Sequence, residues 1–211
     1  LEENPDCLRQ LDQIQREFRD QMQAKMEAMW AAKLGLDAFH GELFSELQTL
    51  MAQMPVDYTI FFRELSTVPD DIGPLRKSFY RELDSGEASG SSKREADRDG
   101  METRWSEWLR KWQSLVGVGS ATDPTAIRSR SREELSRRMK GVNPKYTLRE
   151  WFVVPVYQQA SEGNYAPLRE LQKVMTQPYE DQSKEVDATF YRLKPPELFN
   201  VGGVSYYSCS S

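Results

Sequence analysis

Residues 8–32 read LRQLDQIQREFRDQMQAKMEAMWAA. Leu8, Leu11, Ile14, Phe18, Met22, Met26, Met29 and Trp30 recur there at steps of three and four. Residues so spaced share one face of a helix, so the stretch predicts a long amphipathic helix. The opposite face reads Gln, Arg, Glu, Asp and Lys. Gly35 follows as a natural stop, because Gly enters the left-handed conformation without a Cβ penalty.

The same spacing continues outward. A second helix is expected from an N-cap near Asp37 through Leu43, Phe44, Leu47, Leu50, Met51 and Met54, with Pro55 ending it. Asp57 should cap a third that carries Phe61, Phe62 and Leu65, and a short one is expected from Pro74 to Leu83. Met101 to Val116 sets Trp105, Trp108, Leu109 and Trp112 on one broad face. Asp123-Pro124 and Asn143-Pro144 both look like a cap followed by Pro at the first helical position. Pro155 should kink or interrupt the helix behind the second of these. Leu168, Leu171, Val174 and Met175 mark one more helix, ended by Pro178. Pro178 to Ser211 looks irregular, with a short extended piece at Val204 to Tyr207. The Met and aromatic stripes read as core.

The fold class expected is all-α: an irregular helical bundle with a flexible insertion and an extended C-terminal tail. Asp84 to Gly100 (DSGEASGSSKREADRDG) has no aromatic and no large aliphatic residue. It cannot bury enough surface to offset the entropy of ordering. The expected organisation is a helical subdomain at 1–83, a flexible linker or insertion at 84–100, and a helical subdomain at 101–211 ending in a tail.

Composition narrows the chemistry. The 211 residues carry a net charge of -5, one His and two Cys. No apolar run is long enough to span a membrane. His-Glu-x-x-His cannot exist with His40 alone, and His40 reads as a solvated or capping residue. No Gly-x-Gly-x-x-Gly and no Gly-x-x-x-x-Gly-Lys-Ser/Thr cradle occurs, nor any kinase signature. The start, Leu1-Glu2-Glu3-Asn4, lacks Met and leads to the expectation of a fragment or processed product. From Pro124 to Arg149 eight cations (Arg128, Arg130, Arg132, Arg137, Arg138, Lys140, Lys145, Arg149) face Glu133 and Glu134. They form either a solvated face or one docked on an acidic neighbouring domain, the preferred reading, or a site for an acidic or nucleic-acid partner. Cys7 reads as a packing residue. Cys209, third from the C-terminus, is either incidental or a thiol free for redox exchange.

The later motifs carry a resemblance. Met139-Lys140-Gly141-Val142-Asn143-Pro144-Lys145-Tyr146-Thr147-Leu148-Arg149 resembles the "NPKY-x-LR" segment of the selenoprotein O (YdiU) family. Ala160 to Tyr165, Pro178-Tyr179-Glu180-Asp181-Gln182 and Pro195-Pro196 keep that family's order. Upstream, Met29 to Leu36 (MWAAKLGL) and Asp57 to Leu65 (DYTIFFREL) are similar to two more of its segments. The chain ends Ser208-Cys209-Ser210-Ser211, like the Cys-Ser-Ser or selenocysteine-Ser-Ser close of the family.

The resemblance implies a protein adenylyltransferase with a kinase-like core, moving AMP from ATP to Ser, Thr or Tyr hydroxyls of protein substrates with Mg²⁺ assisting. The family's nucleotide and metal residues map to no position here, so no catalytic, cofactor-binding or metal residue is assigned within the chain. This chain then corresponds to the C-terminal helical part, packed on its own kinase-like domain, with no membrane or nucleic-acid partner and a monomeric state expected. Cys209 matches the family's redox-active position, and its partner thiol is expected outside this chain. The compartment implied is mitochondrial for a eukaryotic source and cytoplasmic for a bacterial one. The other classes left open are a stand-alone helical interaction module with a basic face and a thiol-redox module.

Overall fold

The computed structural model describes residues 5–80, 92–117 and 131–199. Among these the fold is all-α. Its helices are α1 (Pro5–Lys33), α2 (Gly41–Gln53), α3 (Tyr58–Leu65), α4 (Ser92–Leu115), α5 (Arg132–Lys140), α6 (Glu150–Ser161), α7 (Ala166–Met175) and α8 (Lys184–Phe190). Two 3₁₀ turns, Pro74–Ser78 and Pro196–Leu198, complete the set. One isolated antiparallel bridge joins Val56 to Phe79.

Helix α1 ends where the sequence places the stop. Gly35 sits at φ +70, its N–H reaches Ala32 O at 3.1 Å, and Leu36 N–H reaches Ala31 O at 2.9 Å. These two bonds close the last orphan carbonyls in a Schellman arrangement. Helix α2 starts later than Asp37. His40 is its N-cap, with Nδ1 accepting from Leu43 N–H at 3.2 Å, so the one imidazole has a capping role. Asp57 caps α3 as expected, its Oδ1 accepting from Ile60 N–H at 3.0 Å.

The first core gathers Leu34, Leu43, Leu47, Phe61, Phe62, Leu65, Leu75, Trp105, Trp108, Trp112, Leu135 and Met139. It therefore draws on both sides of the 84–100 stretch. The indoles of Trp108 and Trp112 donate to Leu43 O at 3.0 Å and Leu34 O at 2.8 Å. They tie α4 to α2 and to the end of α1 by direction as well as by area. Helix α4 begins at Ser92, ahead of the Met101 where apolar spacing begins. Once the tryptophans fix its C-terminal half, adding residues at the other end costs little, because propagation is far easier than nucleation. The second, smaller core holds Tyr146, Phe152, Leu171, Val174 and Phe190, from α6, α7, α8 and the segment before them.

Four expectations need correction. The α1 stripe is not core: Leu8, Leu11, Ile14, Phe18, Met22, Met26 and Met29 are between 39% and 65% exposed. Spacing specifies a face, and nothing among the described residues covers this one. Asn143 does not cap a helix. Residues 141–149 are irregular, α6 begins at Glu150 behind Arg149, and the Asn143 amide is committed elsewhere. Helix α6 runs unbroken across Pro155, with Phe152 packed in the second core. The stretch after Pro178 holds α8, with Ser183 Oγ accepting from Val186 N–H at 3.3 Å. The Asp123-Pro124 start and the Val204 to Tyr207 piece lie outside the described residues.

Candidate functional site

A seam of charged side chains joins the two cores. Asp57, besides capping α3, takes a bidentate grip from Arg149 at the N-cap of α6, with Nη2 to Oδ1 at 2.9 Å and Nη1 on Oδ2. Asp57 is buried and the Arg149 side chain only 13% exposed, and a planar guanidinium matches a carboxylate in this way where an ammonium does not. The Tyr80 hydroxyl donates to the same carboxylate at 3.2 Å. Burial first, and Asp57 second, raise the Tyr80 pKa.

Asn143 links three elements. Its amide nitrogen donates to Lys33 O at 2.8 Å and Ser66 Oγ at 3.0 Å, and its amide oxygen accepts from Lys33 Nζ at 3.0 Å. Its backbone carbonyl accepts from Arg63 Nη1 at 3.2 Å, and Lys140 O accepts from the same nitrogen at 3.3 Å. The Arg63 fork, 5% exposed, is thereby fixed with Nη2 turned to Asp181 Oδ1 at 3.2 Å.

Lys145 lies beside it and donates to Asp181 Oδ1 at 3.0 Å and Asp187 Oδ2 at 2.8 Å. Burial alone would lower the Lys145 pKa, but its bonds to Asp187 and Asp181 outweigh that and raise it. The Tyr146 hydroxyl donates to Asp187 Oδ1 at 2.5 Å. On the far wall the Tyr191 hydroxyl donates to Glu64 Oε1 at 2.9 Å, and Lys77 reaches Glu64 Oε2 at 3.1 Å. Burial, reinforced by Glu64, pushes the Tyr191 phenol far above its ordinary range, so it remains a donor.

Arg63, Lys145, Asp181 and Tyr191 are among the residues that border a cleft of about 820 Å³ between α3, the end of α5, α8 and the Tyr191–Glu197 strap. Six cationic side chains and four carboxylates line it, a positive balance in a chain that is negative as a whole. Fixed cations of this kind can hold an anion and clamp elements together. Among the described residues no group of three His, Cys, Asp or Glu stands ready to hold a metal ion.

Cys209 lies outside the described residues, as do Arg128 and Arg130. The rest of the basic run is largely engaged within the chain. Arg132 pairs with Asp70 at 2.6 Å, Arg138 donates to Gly35 O and sits 3.6 Å from Asp37, and Lys140 sits 3.9 Å from Asp181. These three cations thus have partners within the chain, while Arg132 and Arg138 keep 41% and 44% of their side chains exposed. Arg63, Asp181 and Asp187 were not singled out by residue type or spacing. Only the motifs around them, DYTIFFREL and PYEDQ, could have drawn attention to the first two.

Comparison with known proteins gives these residues a context. The family model for protein adenylyltransferase SelO matches residues 7–176. A protein nucleotidyltransferase YdiU from Tolumonas auensis is 30% identical over 204 residues, covering 92% of this chain and 34% of that protein. YdiU proteins from Xanthomonas campestris pv. campestris and Aromatoleum aromaticum are 30% and 32% identical, over 92% and 87% of this chain. The chain spans about a third of the length of these bacterial relatives. The match takes in the motifs that supply Asp57, Arg63, Asn143, Lys145 and Arg149, and by it this chain belongs to the SelO family.

Proposed function

We propose that this chain is the C-terminal helical part of a SelO-type protein adenylyltransferase, an enzyme that transfers AMP from ATP to Ser, Thr or Tyr hydroxyls of protein substrates. The family match over residues 7–176 carries this reading. The residues described here do not fit a nucleotide–metal centre: they offer no metal-holding cluster, and the sequence has no glycine-rich phosphate cradle. We assign ATP and Mg²⁺ to the part of the relatives that this chain does not span. None of the residues described is assigned a step of AMP transfer.

Its role is to support that catalytic part. The exposed apolar stripe of α1 favours this role, because a contiguous face of Leu, Ile, Phe and Met is costly to leave in water. A kinase-like core is the surface we assign to it. The 211-residue chain alone should show no Mg-ATP binding in calorimetry and no AMP transfer. In the full-length protein, Ile14→Glu with Phe18→Glu should depress AMP transfer while the chain alone keeps its helix content. Tight Mg-ATP binding by the chain alone would overturn the proposal.

Cys209 we assign a redox role in the same enzyme, on the resemblance of the Ser208 to Ser211 ending to the family's close. Its thiolate would attack a disulfide that engages a second cysteine outside this chain. One sulfur leaves as a thiol and a new disulfide forms, so the electrons balance within the exchange. Cys209→Ser in the full-length protein should abolish the dependence of AMP transfer on thiol redox state. An unchanged dependence would remove this role.

A further inference from the structure

We propose that the cleft between the two cores is a binding site for a phosphate-class oxyanion, and that Asp181 occupies the anion position until the ligand displaces it. Three cations converge on that position. Arg63 Nη2 lies 3.2 Å and Lys145 Nζ 3.0 Å from Asp181 Oδ1, and Lys140 Nζ lies 3.9 Å from Oδ2.

The burial is lopsided. The Arg63 and Lys145 side chains are 5% and 10% exposed, whereas that of Asp181 is 62% exposed. The cations are thus built into the wall, and the carboxylate that balances them comes from the solvent side. Arg63 is held from behind by two backbone carbonyls and Lys145 by Asp187, so both keep their places without Asp181. Asp187 engages only Lys145 of the three cations, so Asp181 offers the set a single further charge. A phosphate dianion offers two charges and more acceptor oxygens at the same point, which fits a guanidinium and two ammonium groups better.

The cleft has room for more than the anion. At about 820 Å³ it lies in the range of small-molecule sites, and Ile60, Leu193, Pro195 and Pro196 give it apolar walls beside the cations. The ligand class is therefore inorganic phosphate or a small phosphomonoester with an apolar body.

The test is calorimetric titration of the 211-residue chain with inorganic phosphate and, separately, with phenyl phosphate, against chloride at matched ionic strength. Saturable one-to-one binding is expected for phosphate and none for chloride. Asp181→Asn removes the competing charge and should tighten binding by about tenfold or more, because the open position no longer has to be won from a resident anion. Lys140→Ala in the Asp181→Asn background should loosen it again by about threefold or more. Phenyl phosphate binding tighter than phosphate assigns the site to a phosphomonoester, and equal affinity assigns it to the free ion. No saturable binding in Asp181→Asn, or binding no tighter than in the unaltered chain, overturns the proposal. Should that variant not fold, acetic anhydride labelling of Lys140 in the unaltered chain decides. Protection by phosphate supports the site, and equal labelling sinks it.

Discussion

Lys33 and Asn143, far apart in the chain, hold one another reciprocally. The Lys33 ammonium donates to Asn143 Oδ1 at 3.0 Å, and the Asn143 amide donates to the Lys33 carbonyl at 2.8 Å. The pair joins the last turn of α1 to the segment between α5 and α6. Lys33 also lies over the Phe62 ring at 4.9 Å, and burial lowers its pKa.

Asn143→Ala should therefore destabilise the chain by about 2–3 kcal/mol, because it strands buried partners rather than merely deleting a contact. Asn143→Asp should not restore it. The carboxylate would suit Lys33 but could donate neither to the Lys33 carbonyl nor to Ser66 Oγ. Urea unfolding checks this: a lower midpoint at unchanged slope is expected for both variants. A midpoint for Asn143→Asp equal to that of the unaltered chain would show that the amide donors contribute nothing.

The three tryptophans of α4 are all buried but differ in their nitrogens. Trp108 and Trp112 donate to main-chain carbonyls, whereas Trp105 Nε1 has no partner among the described residues. Replacing each by Phe leaves a similar void, so the comparison isolates the hydrogen bond. Trp108→Phe and Trp112→Phe should each cost about 1 kcal/mol more than Trp105→Phe, whose loss of an unpaired buried N–H offsets part of the void. Equal losses for all three in thermal unfolding would refute this.

Most helices were legible because apolar spacing, Gly stops and Asp57 are local signals. The exposed stripe of α1 was not, since spacing at Ile14 and Phe18 says that a face exists and not what meets it. Asn143 was misread because Asn-Pro is a good cap locally, and its amide is instead satisfied by residues remote in sequence. Helix α8 was missed because Lys184–Phe190 is short and carries only Val186, Ala188 and Phe190 as apolar residues. The seam was the least legible part. Arg63, Lys145 and Asp181 lie far apart in the sequence, and only the folded chain brings their charges together.

The seam also sets a pH dependence. Burial opposes the Asp181 charge, but Lys145 and Arg63 outweigh it and hold the carboxyl below its ordinary 3.8. A depressed carboxylate contributes stability above its unfolded pKa and loses it as pH falls through the folded value. Lys145 is raised above 10.5, so its contribution is complete below that value and lost as pH climbs through the folded pKa. Asp181→Asn should flatten the acid limb below about pH 4. The change should be under about 1 kcal/mol, because Asp181 is largely in water and solvent screens the pair. Chemical unfolding at a series of pH values reads both limbs. An acid limb unchanged by the substitution would place the acid sensitivity elsewhere.

Two glycines separate backbone strain from crowding. Gly35 and Gly163 both lie at positive φ, +70 and +88. A Cβ on Gly163 would meet nothing within 4 Å, so Gly163→Ala should cost only the left-handed conformation, about 1–2 kcal/mol. A Cβ on Gly35 would fall 2.7 Å from Met139 Sδ and 2.8 Å from Leu135 Cδ1, both fully packed in the first core. The thioether can shift, but α5 is also held there by the Arg138 bond to the Gly35 carbonyl, so relief must disturb the α1–α5 junction. Gly35→Ala should then cost about 1–3 kcal/mol more than Gly163→Ala, the ordinary range for overpacking a core. Differential scanning calorimetry of the two variants tests the comparison. Equal melting temperatures would mean that Leu135 and Met139 yield freely and that the junction is looser than its contacts imply.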